Sequence, residues 1–212
     1  MNCGNYIVLD FETGGKIADK NPIIEVGLCS FRAENFEEIS RYQTYVKNYN
    51  NLTIEQEALN YNGIKMSQIN SGISIKEAVN AMIEEFQKAS GGRGKNAKPY
   101  LCGHSFNDFD RVFLEYVFSY CKKDLYKYVD TYIYDTLKMC RSKWATEEGV
   151  KFSLEACCER MGIELIDGHG ALNDVIANAQ VLKNLIFSMR SESGGSELVK
   201  EKRFRESFKF EY

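Results

Sequence analysis

Residues 6–13, YIVLDFET, set two carboxylates, Asp10 and Glu12, into an otherwise apolar run. The run has the length and bulk of a short buried strand, and Gly14-Gly15 behind it supplies a turn. Side chains two apart on a strand share a face, so both acids project from the same side of the sheet. Charge removed from water must be paired or must coordinate a cation. Two outcomes satisfy that rule. Either the strand end opens to solvent and the acids cap the turn, or the pair holds a metal, for which hard oxygen ligands suit Mg²⁺ or Mn²⁺.

The remaining elements follow from periodicity and turn chemistry. Residues 22–32 (PIIEVGLCSFR) and 39–47 (ISRYQTYVK) read as two further strands, completing a meander. A helix is expected over about 53–62, with Thr53 as N-cap and Gln56 at the capping-box position. Another is expected over 74–89, where Ile75, Val79, Met82, Ile83 and Phe86 recur at helical spacing. Residues 90–98 (SGGRGKNAK) are loop by composition, and 99–103 (PYLCG) a fourth strand. Phe109, Val112, Phe113, Tyr116, Val117 and Tyr120 form one stripe of a helix over 107–122. Residues 132–140 read as a fifth strand passing into a turn or helix, and helices follow near 152–161 and 171–189. The order βββ, α, β, α, β, α, α implies one α/β domain: a mixed five-stranded sheet flanked by helices.

Three more titratable residues stand at element starts. Asp110 falls in the first turn of the 107–122 helix, where the dipole favours an acid, and Asp108 serves that purpose equally well. In GHGALND, His169 and Asp174 are five apart. On one continuous helix they would point about 140° apart. They converge if His169 sits in a loop, which Gly168 and Gly170 permit, and Asp174 opens the next helix.

The segments DFET, GHSFNDFD and HGALND, in this order, resemble the motifs of the DEDDh, or DnaQ-like, 3′→5′ exonuclease superfamily. IIEVG, YNGI (61–64), YDTL (134–137) and SLEACCERMGI (153–163) extend the resemblance over about residues 5–187. It implies a ribonuclease H-like fold and two divalent ions, Mg²⁺ or Mn²⁺, held by Asp10, Glu12, Asp110 and Asp174. It implies His169 as general base, and a pocket for the terminal nucleotide lined by Phe11, Thr13, Gly63 and Ile64. The expected activity is release of nucleoside 5′-monophosphates from the 3′ ends of single-stranded or 3′-ended DNA or RNA. Gly170 stands where a tyrosine-type branch has its tyrosine, which points to the histidine branch. Three positions depart from the family pattern: Gly14 replaces a threonine, Ser105 follows His104 where asparagine is usual, and Asp110 lies six positions after His104. The last leaves Asp108 a rival to Asp110. A catalytically silent nuclease-like module that binds nucleic acid or a protein is the alternative from another class.

Composition narrows the setting. A net charge of −3 argues against a sequence-specific nucleic-acid binder, because phosphate neutralisation supplies most of such a protein's affinity. It is compatible with an enzyme that meets phosphate through bound cations. Seven cysteines without CxxC spacing read as buried reduced thiols, hence a cytoplasmic protein. Neither a secretory signal nor an apolar run of roughly 18 residues is visible, so no membrane partner is expected. The exonuclease domain is expected over 1–190. SESGGS (191–196) reads as a linker opening a basic-aromatic tail to residue 212, a candidate docking segment for a protein partner. Homo-oligomerisation is left open. Trp144 is expected to anchor its loop to the core.

Overall fold

The computed structural model describes residues 4–91, 97–165 and 170–194. Three strands, β1 (Tyr6–Thr13), β2 (Ile23–Phe31) and β3 (Glu38–Tyr45), form the antiparallel meander. Strands β4 (Tyr100–Gly103) and β5 (Ile133–Asp135) run parallel to β1, giving the order β3-β2-β1-β4-β5. β1 is therefore interior, as its unbroken apolar character requires.

Alternation along β1 divides the core. Ile7, Leu9 and Phe11 face one layer, shared with α3 (Ile75–Lys88) and α4 (Asp110–Tyr120). Tyr6 and Val8 face the other, covered by α7 (Ala171–Gly194), which lies across β1 and β2. A third apolar cluster joins α7 to α5 (Thr136–Lys143) and α6 (Leu154–Met161). By the period of two, Asp10 and Glu12 continue the Tyr6–Val8 face, towards α7. With α1 (Gln56–Asn62) and α2 (Met66–Ser71), seven α-helices flank a mixed five-stranded sheet among the described residues, a ribonuclease H-like arrangement.

Several boundaries differ from the sequence expectation. Helix α1 starts at Gln56 behind Glu55, without a side-chain cap. The Thr53 N–H donates to the Lys20 carbonyl, while the Gln56 side-chain amide bonds Asn60. The short helix α2 has no counterpart in the periodicity. The capping box lies at α3, where the Ser74 and Glu77 side chains each accept from the other's backbone N–H. The 107–122 helix begins only at Asp110, because residues 105–109 form the turn that leaves β4. β5 keeps three residues before Asp135 accepts from the Lys138 N–H and caps α5. Helix α7 runs through 191–194, expected as the start of a linker, and the rest of that linker and the tail lie outside the described residues. So does most of the 90–98 loop. Trp144 is buried beside Phe152 as the C-cap of α5. The six described cysteines are free, with Cys157 and Cys158 inside α6. No helix among the described residues is long and apolar enough to cross a membrane.

Candidate active site

β4 pairs with β1 only from Tyr6 to Val8 and then ends at Gly103. Beyond Val8, the β1 edge on that side has no strand partner, and its polar backbone needs another acceptor. Asp110 supplies it: the Phe11 N–H donates to Asp110 Oδ1 at 3.1 Å. The two candidate aspartates of the middle motif differ in placement. Asp110 is buried against β1, whereas Asp108 is exposed and faces Lys138 at 3.6 Å.

Asp10 and Glu12, both half-buried, project from the α7 side of β1, and Asp174 comes down from the first turn of α7. Each of these three offers a carboxylate oxygen within 4.8 Å of the others. Together with Asp110, Phe11 and Thr13 they line one open cleft of about 900 Å³. His169 lies outside the described residues; Gly170 immediately precedes α7.

The remaining expected pocket residues divide. Phe11 and Thr13 line the cleft, the Thr13 hydroxyl donating to the Gly15 carbonyl at 2.7 Å. Gly63 and Ile64 do not line it. Gly63 takes φ 70° to end α1, a left-handed conformation suited to glycine, and Ile64 is buried against Ile24 and Ile69. They hold the end of α1 from behind, and Tyr61 and Asn62 line the cleft in their place. Tyr61 is 70% exposed, which no periodicity argument separates from an ordinary surface tyrosine.

His104 also borders the cleft, with both ring nitrogens engaged. Its Nε2 lies 2.8 Å from the Phe152 carbonyl and its Nδ1 3.0 Å from the Thr136 hydroxyl. The carbonyl can only accept, so Nε2 carries a proton, and burial holds the ring's pKa below its ordinary value. His104 is a latch between β4 and α5. Ser105 beside it adopts φ 63°. Asparagine takes that region more readily than serine, which gives a physical reason for the family's usual residue there.

Electrostatically the cleft is a concentrated negative field. Burial first, then Asp110, Glu12, Asp174 and Glu25, push the Asp10 pKa far above its ordinary value. Glu12 is pushed to about 8 by burial and by Asp174, Glu25 and Asp110. Asp110 is raised by burial against the opposing Phe11 hydrogen bond. Glu25 was named in the sequence only as part of IIEVG, yet it is a fifth acid. It is 2% exposed and directly opposite Glu12 in the β1–β2 register. An acid inside an otherwise apolar nine-residue strand carries the same signature that singled out Asp10.

These shifts set a stability prediction. In chelator, the folded protein keeps a proton on Glu12 up to about pH 8, while the unfolded chain releases it near its ordinary 4.5. The folded state therefore binds more protons between those values, and stability falls as pH rises through that window. Melting curves in EDTA should move down from pH 4.5 to 8, with a shallower slope in Glu12→Gln and a reversal on adding Mn²⁺. A flat or rising profile common to both proteins would contradict the field described.

A profile of the RNase_T family, described as Exonuclease, matches residues 7–182. The 3′-5′ exonuclease DinG of Staphylococcus aureus (strain bovine RF122 / ET3-1) is 25% identical over 182 residues, 86% of this chain and 18% of that protein. The chain thus spans under a fifth of that relative's length. Escherichia coli exonuclease I solved with a dT13 oligonucleotide superposes with a TM-score of 0.72 at 19% identity, covering 86% of this chain and 41% of that one. The same enzyme solved with dA16 gives 0.73 at 19% identity, over 85% and 40%. At that identity the superpositions speak for the fold, and the profile speaks for descent: the chain belongs to the RNase_T exonuclease family, within the DnaQ-like 3′→5′ exonuclease superfamily.

Proposed function

We propose that this protein is a metal-dependent 3′→5′ exonuclease that hydrolyses phosphodiester bonds at nucleic-acid 3′ ends and releases nucleoside 5′-monophosphates. The observation that carries the reading is the convergence of Asp10, Glu12 and Asp174 with Asp110 in one open cleft. The donor set is all carboxylate, the set that Mg²⁺ and Mn²⁺ prefer, and its raised proton affinities mark a place that favours added positive charge. Asp10, Glu12, Asp110 and Asp174 would hold two such ions, which when bound offset phosphate charge and lower the pKa of water.

The chain's own groups then have distinct tasks. Asp10 and Glu12 are fixed by the central strand, and Asp110 is fixed by its bond to Phe11 N–H. Asp174 is brought in by the first turn of α7. His169 accepts the proton of the attacking water, since imidazole titrates near neutrality. The latched His104, the other of two histidines, is unsuited to that task. Phe11 and Thr13 bound the terminal nucleotide, with Gly63 and Ile64 positioning Tyr61 and Asn62 rather than touching substrate. The exposed Tyr61 ring offers a stacking surface for a base, a contact that tolerates any sequence. This nuclease domain would fill residues 1–190 and the α7 extension, leaving the tail to 212 for a protein partner. Its free cysteines suit a reducing, cytoplasmic setting.

The test is digestion of matched 5′-labelled single-stranded DNA and RNA with Mn²⁺. Wild type should produce a ladder shortening from the 3′ end, silenced by EDTA. His169→Ala should lower the rate by about 10²–10⁴-fold, the usual contribution of a positioned proton acceptor. Equal cleavage by wild type and variant would remove His169 from the mechanism. Absence of a ladder on both polymers would remove the activity itself.

A further inference from the structure

Glu25 lies outside the four acids assigned to the cations, yet its carboxylate is placed with care. It is 2% exposed as the third residue of β2 and opposes Glu12 across the β1–β2 register. Oε1 accepts from the Gln43 side-chain amide of β3 at 2.7 Å. Oε2 accepts from the backbone N–H of Ala171 at 3.3 Å. Ala171 opens α7, and the first N–H groups of a helix have no partner within it. The Gly170 carbonyl already receives the N–H groups of Asn173 and Asp174. Glu25 thus serves as an N-terminal cap supplied by the sheet, where the helix dipole favours a negative charge. Two residues on, Gly27 brings the β2 backbone against the same turn: a Cβ there would lie 2.5 Å from the Ala171 carbonyl carbon.

From this geometry we infer that Glu25 is a positioning residue for the reaction, setting the first turn of α7 so that Asp174 meets Asp10 and Glu12. The hydrogen bond to Ala171 carries the effect, both carboxylate oxygens being engaged within the protein, by Gln43 and by Ala171. The inference rests on the proposed function above for what the cluster binds, but the seat itself does not depend on it.

The experiment uses the full chain, freed of metal, with Mn²⁺ as the probe and Asp174→Asn as reference. Glu25→Ala removes the acceptor. It should weaken Mn²⁺ binding by about 10–100-fold, the range lost when groups that orient metal ligands are removed, and should speed hydrogen exchange at the Ala171 amide. Glu25→Gln keeps an acceptor oxygen without the charge, and should bind Mn²⁺ within about threefold of wild type by preserving that orientation. If Glu25→Ala does not fold, Glu25→Met takes its place, filling the volume without an acceptor. The inference is overturned if the acceptor-free variant binds Mn²⁺ like wild type. It is equally overturned if Glu25→Gln falls as far as that variant, since charge alone would then be at work. Should neither wild type nor Asp174→Asn bind Mn²⁺, the proposed function fails instead. In that case the Ala171 exchange rate still decides whether Glu25 seats the helix.

Discussion

Asp10→Asn should abolish nucleotide release while making the metal-free protein harder to melt. The two effects have one origin. Asp10 stands on the central strand beside Glu12 and Asp174, with Asp110 and Glu25 close enough to raise its pKa along with burial. Asparagine keeps the shape and removes the charge. Without a cation, that relieves repulsion among groups that cannot all ionise at neutral pH. At pH 8 in EDTA the melting temperature should rise, by about 2–4 °C for each kcal/mol relieved in a domain of this size. Because the wild-type group is protonated in the folded state at low pH, the gain should shrink towards pH 4. With Mn²⁺ present the order should invert, since only the wild type has its full ligand set. Activity should fall by about a thousandfold or more, because a cation site contributes several kcal/mol and each 1.36 kcal/mol is tenfold in rate. A laddering assay and melting curves with and without chelator suffice. An active Asp10→Asn enzyme, or one less stable than wild type in EDTA at pH 8, would contradict the reading.

That trade explains which features were legible in the sequence. Asp10 and Glu12 stood out because they break an apolar strand, a conflict between local chemistry and burial that folding alone does not require. Asp174 was legible through the order of DFET, GHSFNDFD and HGALND, since a helix start alone accounts for an acid there. The element order and the mixed five-stranded sheet followed from the alternation of periods, whereas the placing of β4 beside β1 rather than β3 is seen only in the structure. What was not legible depends on through-space contact. The choice of Asp110 over Asp108 turns on where β4 ends, which frees the Phe11 N–H; both aspartates look alike in a row of letters. Glu25 was visible as an acid in an apolar strand, but its partner Ala171 lies 146 residues away. Helix α1 starts at Gln56 where the Thr53 N–H bonds the Lys20 carbonyl and the Glu55 N–H bonds the Gly14 carbonyl, long-range contacts that capping statistics cannot contain. The short α2 and the three-residue β5 are too brief for a period to register.

The other large effect should come from a residue with no side chain and no place in the cleft lining, Gly27, which pairs with Asp10 across β1 and β2. Gly27→Ala places a Cβ 2.5 Å from the Ala171 carbonyl carbon, 2.7 Å from its oxygen and 2.7 Å from the Leu172 nitrogen. All three are backbone atoms of the first turn of α7, so no side chain can swing aside. Either β2 bows away from the helix or α7 rides outward. Overpacking of this kind costs about 1–3 kcal/mol, a fall in melting temperature of about 2–12 °C. The larger consequence is for turnover. Asp174 lies one turn along the same helix, and a displacement near 1 Å can cost about a hundredfold in rate. Digestion well below the melting temperature should therefore show a loss of about ten- to a hundredfold in a protein that is still folded. Mn²⁺ affinity should drop alongside it. A Gly27→Ala protein with wild-type turnover would mean that α7 can shift without moving Asp174 out of the cluster. A loss of turnover with the fold intact has two short routes from Gly27 to the chemistry, across the β1–β2 pair to its register partner Asp10 and through the backbone of Ala171 to Asp174, and the contact with Ala171 is the one that the added methyl overpacks.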